Sequence, residues 1–248
     1  MNETPRARSR WAELDRASWP ELRDRVLGHA PGSSPPEPRA YPGYPKWPLP
    51  KVRNRALAGL DHTLTTRRSA QTLGTELPSA RTIARILLKA HGVCADRSRG
   101  PAPSAGGLQA QELYMVALSA GWLPAGVYHY DRAGHSLSQI VDTAERERWL
   151  ELIPSTNAVR GGALLWILVA DRQRVSDKYG DRSDRLLLLE AGHLMQNLCL
   201  LSASQGLCTV PQGGSLEHEI ARELLLPGGD VVLYTGVCGT QVRSDSGS

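Results

Sequence analysis

The segment from Ser183 to Ser204 limits what this chain can fold into more than any other part of it. It reads SDRLLLLEAGHLMQNLCLLSAS, and its apolar residues fall on nearly every side of a helix. Four polar interruptions in the run predict a helix buried in a protein core and not a membrane span. These interruptions are Glu190, His193, Gln196 and Asn197.

A helix that is apolar all round must be buried on all sides. The chain has 248 residues, enough for one full-sized domain plus an extension. A domain of this size hardly covers every side of such a helix by itself. We therefore predict a homodimer with the 183–204 helix in its interface.

Composition narrows the class of protein. Hydrophobic residues make up 41% and charged residues 22% of the chain, which is typical of a globular protein and excludes a disordered one. The net charge of +4 comes from scattered Lys and Arg without a dense basic run, so we expect no nucleic-acid partner. A mild positive field still favours an anionic ligand such as a cofactor phosphate.

The amino terminus lacks the apolar stretch of a secretory signal. No two of the four cysteines form a Cys-x-x-Cys pair, which argues against a structural zinc site. We therefore expect a cytoplasmic protein with reduced thiols that does not bind a membrane. The cysteines are Cys94, Cys199, Cys208 and Cys238.

Three regions follow one another along the chain. We assign residues 1–53 to an amino-terminal helix, over about 8–28, and a proline-rich arm. Prolines fix φ and donate no backbone hydrogen bond, so we expect the arm to be extended and not a folded element. The main domain covers 54–243, and 244–248 form a disordered tail. The rings that the arm can bury against the domain belong to Tyr41, Tyr44 and Trp47.

The hydrophobic pattern of the main domain predicts strands and helices without strict alternation, which is typical of the α+β class. Ser79 is expected to cap a helix that stops at Gly92, and Gly206 to follow the long helix. The expected strands are 112–118, 126–131, 163–171 and 230–238, and the expected helices are 79–91, 183–204 and 217–225.

Several common cofactor and catalytic motifs are absent. The chain has no Gly-x-Gly-x-x-Gly after a strand, no Gly-Lys-Ser/Thr phosphate loop and no Gly-x-Ser-x-Gly elbow. Glu190 and His193 form a single Glu-x-x-His pair, whereas di-metal bundles need two such pairs and further carboxylates. We therefore predict no metal site.

Three other segments have residues suited to a phosphate and a flat ring. In TTRRSAQTL, the adjacent Arg67, Arg68 and Ser69 can clamp a phosphate through charge-assisted hydrogen bonds. In PAPSAGG, the small residues at 103–107 let backbone amides approach a ring closely. TVPQGGS, at 209–215, is a second glycine-containing loop between two helices. Taken singly, each segment also fits an ordinary solvated turn.

In their order, these segments resemble the nitroreductase superfamily of FMN proteins. The resemblance is closest to its azoline-oxidising branch, the SagB-type thiazole/oxazole dehydrogenases of ribosomal-peptide biosynthesis. It covers roughly Tyr41 to Gly239. The matching segments are YPKWPLP, RRS, PSAGGLQAQELY, GVYHYD followed by HSL, KYGDR, LEAGHLMQNLCLLSASQGL and VLYTGVCG.

The resemblance implies a mixed sheet flanked by helices in an intertwined homodimer, with FMN at the subunit interface. The family often has Arg where Gln71 stands and an aromatic residue where Leu73 stands, and the missing Arg is expected to weaken phosphate binding. The implied cofactor-binding residues are Arg67, Arg68, Ser69, Gln71 and Arg243 toward the phosphate, Pro103, Ser104, Ala105 and Gly106 near the isoalloxazine ring, Pro211, Gln212, Gly213 and Gly214 near its other edge, and Gln196.

Lys178 and Tyr179 match the adjacent Lys-Tyr pair that the azoline-oxidising branch uses in catalysis. By sequence alone they also fit a solvated KYGDRSDR loop that leads into the long helix. Free Lys and Tyr have pKa values of about 10, so either needs tuning to act as a base at neutral pH. We expect the Lys charge to lower the pKa of the neighbouring Tyr. The sequence leaves open which of the two takes the proton.

The leading hypothesis is an FMN-dependent dehydrogenase that oxidises a thiazoline or oxazoline in a modified peptide to the thiazole or oxazole. Oxygen is the expected reoxidant, and a cyclodehydratase is the expected partner. The first alternative is an NAD(P)H-dependent nitroreductase or ene-type reductase, because it shares the fold and the flavin. The second is a flavin-free scaffold subunit of a peptide-modifying complex.

Overall fold

The structure is a computed structural model. A large sheet runs through the residues that it describes. The described residues are 37–53, 59–93, 99–154 and 159–242. Their strands are β1 Lys46–Pro48, β2 Thr72–Leu73, β3 Gln111–Ala117, β4 Gly126–Asp131, β5 Ser136–Val141, β6 Arg160–Gly161, β7 Leu164–Asp171, β8 Leu207–Gln212 and β9 Asp230–Thr240.

Seven of these strands form the main sheet, in the order β1-β5-β4-β3-β7-β9-β8. Each neighbouring pair in it runs antiparallel. Parallel pairing occurs between β2 and β6, which form a separate two-stranded ribbon. The predicted α+β class with helices flanking a sheet is confirmed, whereas the described strands of the main sheet pair antiparallel throughout and do not form the expected mixed sheet.

The helices of the described residues cover the two faces of the sheet. The cap predicted at Ser79 is confirmed, because its side chain accepts a hydrogen bond of 3.3 Å from the Thr82 amide. The predicted stop at Gly92 is also present, with its amide donating to the Leu88 carbonyl at 3.0 Å. The helices are α1 Leu60–Thr66, α2 Ala80–His91, α3 Arg146–Glu151, α4 Arg172–Tyr179, α5 Ser183–Ser204 and α6 Glu217–Glu223.

The central strands are buried on both faces, which explains their continuous apolar sequences. Along β3, Leu113 and Met115 belong to a core shared with α2 and α5. The alternating Tyr114 and Val116 belong to a second core, shared with α3 and α6. The side chains of β7 divide between the two cores in the same way.

The long helix α5 packs against the sheet. By length and composition, the stretch Arg172–Ser204 is apolar enough to cross a membrane. However, Leu194 and Leu198 of α5 are completely buried in the core formed with the sheet. Leu188 and Leu189 on its other side are 45% and 54% exposed. The described residues of one chain therefore do not bury the helix on all sides.

Five strands were not predicted, namely β1, β2, β5, β6 and β8, and β8 corrects the assignment of TVPQGGS. Residues 209–212 lie in β8, paired with β9, so the loop begins only at Gly213. Proline cannot donate a backbone hydrogen bond to a neighbouring strand, so Pro211 in the sequence argued against a strand here. It is tolerated here because β8 is an edge strand. Among the other four, β5 pairs with β4 and β1.

The proline-rich arm lies against the sheet, and the expectation that it contains no folded element is wrong. Lys46–Pro48 form the short edge strand β1. Further back, the Arg39 guanidinium makes two hydrogen bonds with the Asp230 carboxylate. The Tyr41 hydroxyl lies 2.6 Å from the Tyr114 hydroxyl. The predicted helix at 8–28, Cys94, Arg243 and the tail at 244–248 lie outside the described residues.

The Arg39–Asp230 ion pair is expected to hold the arm on the domain. A hydrogen bond to a charged group contributes about 1.5–3 kcal/mol, so Asp230→Asn should raise the undocked population about tenfold to a hundredfold. Trypsin cleavage between Arg39 and Ala40 should accelerate accordingly, as followed by mass spectrometry. Asp142→Asn, which changes an exposed carboxylate, is the control. Equal cleavage rates in the two variants would contradict this role for the ion pair.

Candidate functional site

The structure brings the Lys-Tyr pair against the loop of small residues before β3. Ala105–Gly107 form one turn of 3-10 helix in which Gly106 has φ +58°. A methyl group at Gly106 would lie 2.6 Å from the Tyr179 hydroxyl and 3.0 Å from Lys178 Nζ. The position therefore needs glycine for both its backbone conformation and its space.

The end of a short helix positions this pair. Helix α4 follows β7 directly, because the Asp171 side chain caps it by accepting a hydrogen bond of 3.2 Å from the Arg174 amide. It ends at Gly180, whose φ of +53° lets the chain turn into α5. Lys178 and Tyr179 thus lie in the last helical turn and are both half-buried, so the solvated-loop alternative does not describe them.

Electrostatics keep the Tyr179 hydroxyl protonated. Burial raises its pKa, and the nearby Glu190 carboxylate raises it further. The expectation that the Lys charge lowers the pKa of Tyr179 is therefore wrong. At neutral pH this phenol is a hydrogen-bond donor.

Glu190 is a site residue that the sequence reasoning missed. It lies on α5, is only 4% exposed, and accepts hydrogen bonds from the Ala105 amide and from the Ser104 hydroxyl, the latter at 3.2 Å. Burial raises the pKa of Glu190, and these two hydrogen bonds oppose the rise. The available signal was a carboxylate inside an otherwise apolar helix, which we interpreted only as half of an incomplete metal motif.

A small pocket lies behind the loop, next to Glu190. Two buried acceptor-capable atoms of its lining, His91 Nε2 and Gln111 Oε1, make no hydrogen bond. Burial, together with the charge of Arg132, lowers the pKa of His91, so its ring is neutral. The lining residues nearest the loop are Ala102, Pro103, Ser104 and Gln109.

The predicted phosphate clamp follows α1. Arg67 is half-buried, whereas Arg68 and Ser69 are exposed. The Cys208 thiol fixes this segment, donating to the Arg68 carbonyl at 3.2 Å and accepting from the Ala70 amide at 3.4 Å. In the salt bridges found among the described residues, neither guanidinium pairs with a carboxylate.

Within one chain, the clamp and the small-residue loop lie at different places along α5. The loop contacts Glu190, whereas the clamp is tied to Cys208 on β8. The start of β8 meets α5 near its end, where the Ser202 and Thr209 hydroxyls lie 2.8 Å apart. Twelve residues of helix separate Glu190 from Ser202, a rise of about 18 Å. The chain therefore does not bring these two predicted sets of residues together by itself.

The other predicted cofactor-binding residues lie on β8, on α5 and in exposed segments outside these two elements. Gln212 is buried at the end of β8, and its carbonyl accepts from the Thr235 hydroxyl at 3.1 Å. Gln196 is exposed on the side of α5 that carries Leu188 and Leu189. The remaining ones are half-buried Pro211 and exposed Gln71, Gly213 and Gly214.

The described cysteines are poorly suited to nucleophilic chemistry. Cys199, Cys208 and Cys238 are free and buried. Burial raises the pKa of Cys199 to about 12 and that of Cys238 to about 11, so both stay protonated at neutral pH. The thiolate is the reactive form, and these residues are therefore structural.

Comparison with known proteins agrees with this architecture. The model of the nitroreductase family matches residues 64–240. A Methanocaldococcus jannaschii protein named for the same family is 31% identical over 166 residues, which are 67% of this chain and 83% of that protein.

Two solved structures share the fold. A Ralstonia eutropha protein named as a nitroreductase has a TM-score of 0.71 at 22% identity, covering 84% of this chain and 95% of its own. A chain of the E. coli microcin synthetase McbBCD complex, solved with truncated pro-MccB17 bound, has a TM-score of 0.64 at 20% identity and covers 96% of this chain and 99% of its own. Together with the family match over most of its length, this places the chain in the nitroreductase family.

Proposed function

We propose that this member of the nitroreductase family is an FMN-dependent dehydrogenase that oxidises a thiazoline or oxazoline in a modified peptide to the aromatic thiazole or oxazole. The observation that carries the proposal is the contact of Lys178 and Tyr179 with Gly106. It joins the residue pair characteristic of azoline oxidation to the loop expected beside the flavin ring.

The residues present fit FMN. Arg67 and Arg68 supply positive charge with no carboxylate partner among the described salt bridges, which suits a phosphate. Gln212, after which the glycine-containing loop begins, lies four positions further along β8 than Cys208, which holds the clamp, a span of about 13 Å. When bound, FMN supplies the acceptor for the hydride that leaves the substrate.

A second copy of the chain would complete the site. The distance of about 18 Å along α5 between the two sets of residues suggests that one subunit holds the phosphate end and the other contributes the small-residue loop. The exposed leucines of α1 and α5 give such a dimer an apolar surface to bury. They are Leu60, Leu64, Leu188 and Leu189.

The oxidation breaks one Cα–H and one Cβ–H bond of the azoline and forms a carbon–carbon double bond. The hydride leaves from Cβ, and a base must take the Cα proton. Tyr179 keeps its proton and is suited to donate a hydrogen bond to the azoline nitrogen. Lys178 is therefore assigned as the base, with Nζ accepting the Cα proton. Oxygen is the proposed final acceptor of the two electrons.

The microcin synthetase likeness supports a peptide substrate and a multi-protein setting. It extends over 96% of this chain, beyond the 64–240 that the family model matches. A cyclodehydratase partner remains part of the proposal. The M. jannaschii relative instead favours an NAD(P)H-dependent nitroreductase. Faster flavin reduction by NAD(P)H than by an azoline peptide in stopped-flow absorbance would select that alternative.

The phosphate clamp is tested by Arg68→Ala. Loss of a hydrogen bond between charged groups, worth about 1.5–3 kcal/mol, should weaken FMN binding about tenfold to a hundredfold in a fluorescence titration. Arg81→Ala, which removes an exposed guanidinium on α2, is the control. Unchanged FMN affinity in the double Arg67/Arg68 alanine variant would reject the clamp.

The dimer is tested at α5. An obligate interface buries more than about 2,000 Å², and a charge placed inside it is strongly destabilising. Leu188→Glu with Leu189→Glu should therefore produce monomers with weak FMN binding in sedimentation velocity at low micromolar concentration. Leu216→Glu, on the exposed start of α6, should leave the assembly unchanged. A flavin-loaded monomer of the unaltered protein would contradict the composite site.

The chemistry is tested by Lys178→Ala and Tyr179→Phe. General acid–base groups contribute about 10²–10⁴-fold to the rate, so each variant should lose about that factor in azoline turnover. Both should remain yellow and dimeric, and Lys51→Ala, an exposed lysine of the arm, should turn over normally. Normal azoline turnover of both variants with full FMN content would refute the catalytic roles assigned to Lys178 and Tyr179.

A further inference from the structure

Glu190 is a buried carboxylate to which the proposed chemistry gives no role. Both of its hydrogen bonds are made to the loop that ends beneath Lys178 and Tyr179. A buried carboxylate is costly unless hydrogen bonds compensate it. The core helix therefore contains a carboxylate that is costly to bury, and the hydrogen bonds that compensate this cost come from the loop.

The loop needs a partner that its own backbone does not provide. Within it, the Gly107 amide donates to the Ser104 carbonyl and the Leu108 amide to the Ala105 carbonyl, each at 3.1 Å. The Ala105 amide begins the turn, where a helix leaves its first amides without internal acceptors. Glu190 accepts from this amide. The Ser104 hydroxyl, which also donates to Glu190, accepts from the Gln109 amide at 2.8 Å and closes the loop.

We infer that Glu190 is a positioning residue, whose carboxylate holds the Ser104–Gly107 loop in the conformation that places Gly106 against Lys178 and Tyr179. It acts through the loop and does not contact the substrate. The consequence for turnover rests on the proposed function, whereas the consequence for the loop does not.

The pocket next to Glu190 allows a substitution that removes the charge of this residue and keeps its hydrogen bonds to the loop. A glutamine at this position keeps a carbonyl oxygen that can accept from Ala105 and Ser104. Its amide group would replace the second carboxylate oxygen on the side of the pocket, where the Gln111 Oε1 acceptor has no partner. Glu190→Gln should therefore preserve the loop, whereas Glu190→Ala should release it.

The experiment compares these two variants with Glu147→Ala, which changes an exposed carboxylate on α3, at the opposite face of the sheet. Amide hydrogen exchange of peptides covering 104–109 is measured in the flavin-free protein. Exchange should rise about tenfold to a hundredfold in Glu190→Ala and stay within about threefold of the unaltered protein in the other two. FMN affinity and azoline turnover of the same preparations should fall at least about tenfold only in Glu190→Ala.

Unchanged exchange in Glu190→Ala overturns the inference. So does faster exchange without any loss of FMN affinity or turnover. If loop amides exchange normally in Glu190→Gln but this variant loses as much turnover as Glu190→Ala, turnover depends on the charge of Glu190 and not on the loop conformation. The inference then also fails. If the unaltered protein oxidises no azoline, the proposed function is wrong. Amide exchange of the loop and FMN affinity still test the role of Glu190 in that case.

A second variant covers the case in which Glu190→Ala does not fold. Ser104→Ala removes one of the two loop hydrogen bonds to Glu190 and the acceptor of the Gln109 amide. Exchange at Gln109 should then rise about tenfold, with a smaller loss of turnover than in a folded Glu190→Ala protein. Unchanged exchange at Gln109 would overturn the inference.

Discussion

The packing of α5 against the central strands sets the separation between the two parts of the candidate site. Each fully buried leucine on the inner side of this helix contributes about 1.5–3 kcal/mol, and these side chains sit in the same core as β3 and β7. The small-residue loop is bonded to the helix at Glu190, and β8 meets it near Ser202. Because the helix is rigid, the two halves of the site keep their separation without any direct contact between them.

Each half of the candidate site is held by hydrogen bonds from elsewhere in the chain. The Glu190 carboxylate holds the loop beneath Lys178 and Tyr179. The Cys208 thiol holds the segment with the two arginines through hydrogen bonds with the backbone of Arg68 and Ala70. A site whose polar groups are already fixed loses less conformational entropy when a ligand binds. Under the proposed function, such preorganisation would partly offset the weaker phosphate binding expected without an Arg at position 71.

The sequence predicted the elements that depend on local rules. A continuous apolar run identified β7, and β3, β4 and β9 were predicted as well. Helical periodicity after the Ser79 cap identified α2, and the long, mostly apolar segment before Gly206 identified α5. It missed β8 because Pro211 contradicts a strand locally, and only the neighbouring β9 makes the edge position acceptable. The role of Glu190 and the pKa direction of Tyr179 depend on contacts between residues far apart in sequence, which no local pattern encodes.

The two edges of the main sheet share a feature with a consequence for solubility. One edge is β1, in which Pro48 follows Lys46 and Trp47, and the other is β8, which contains Pro211. An unpaired edge strand is a template on which a foreign strand can add, and prolines and lysines there interrupt the row of donors that such addition needs. Among the described residues, the sheet thus ends at both sides in strands that discourage fibrous aggregation.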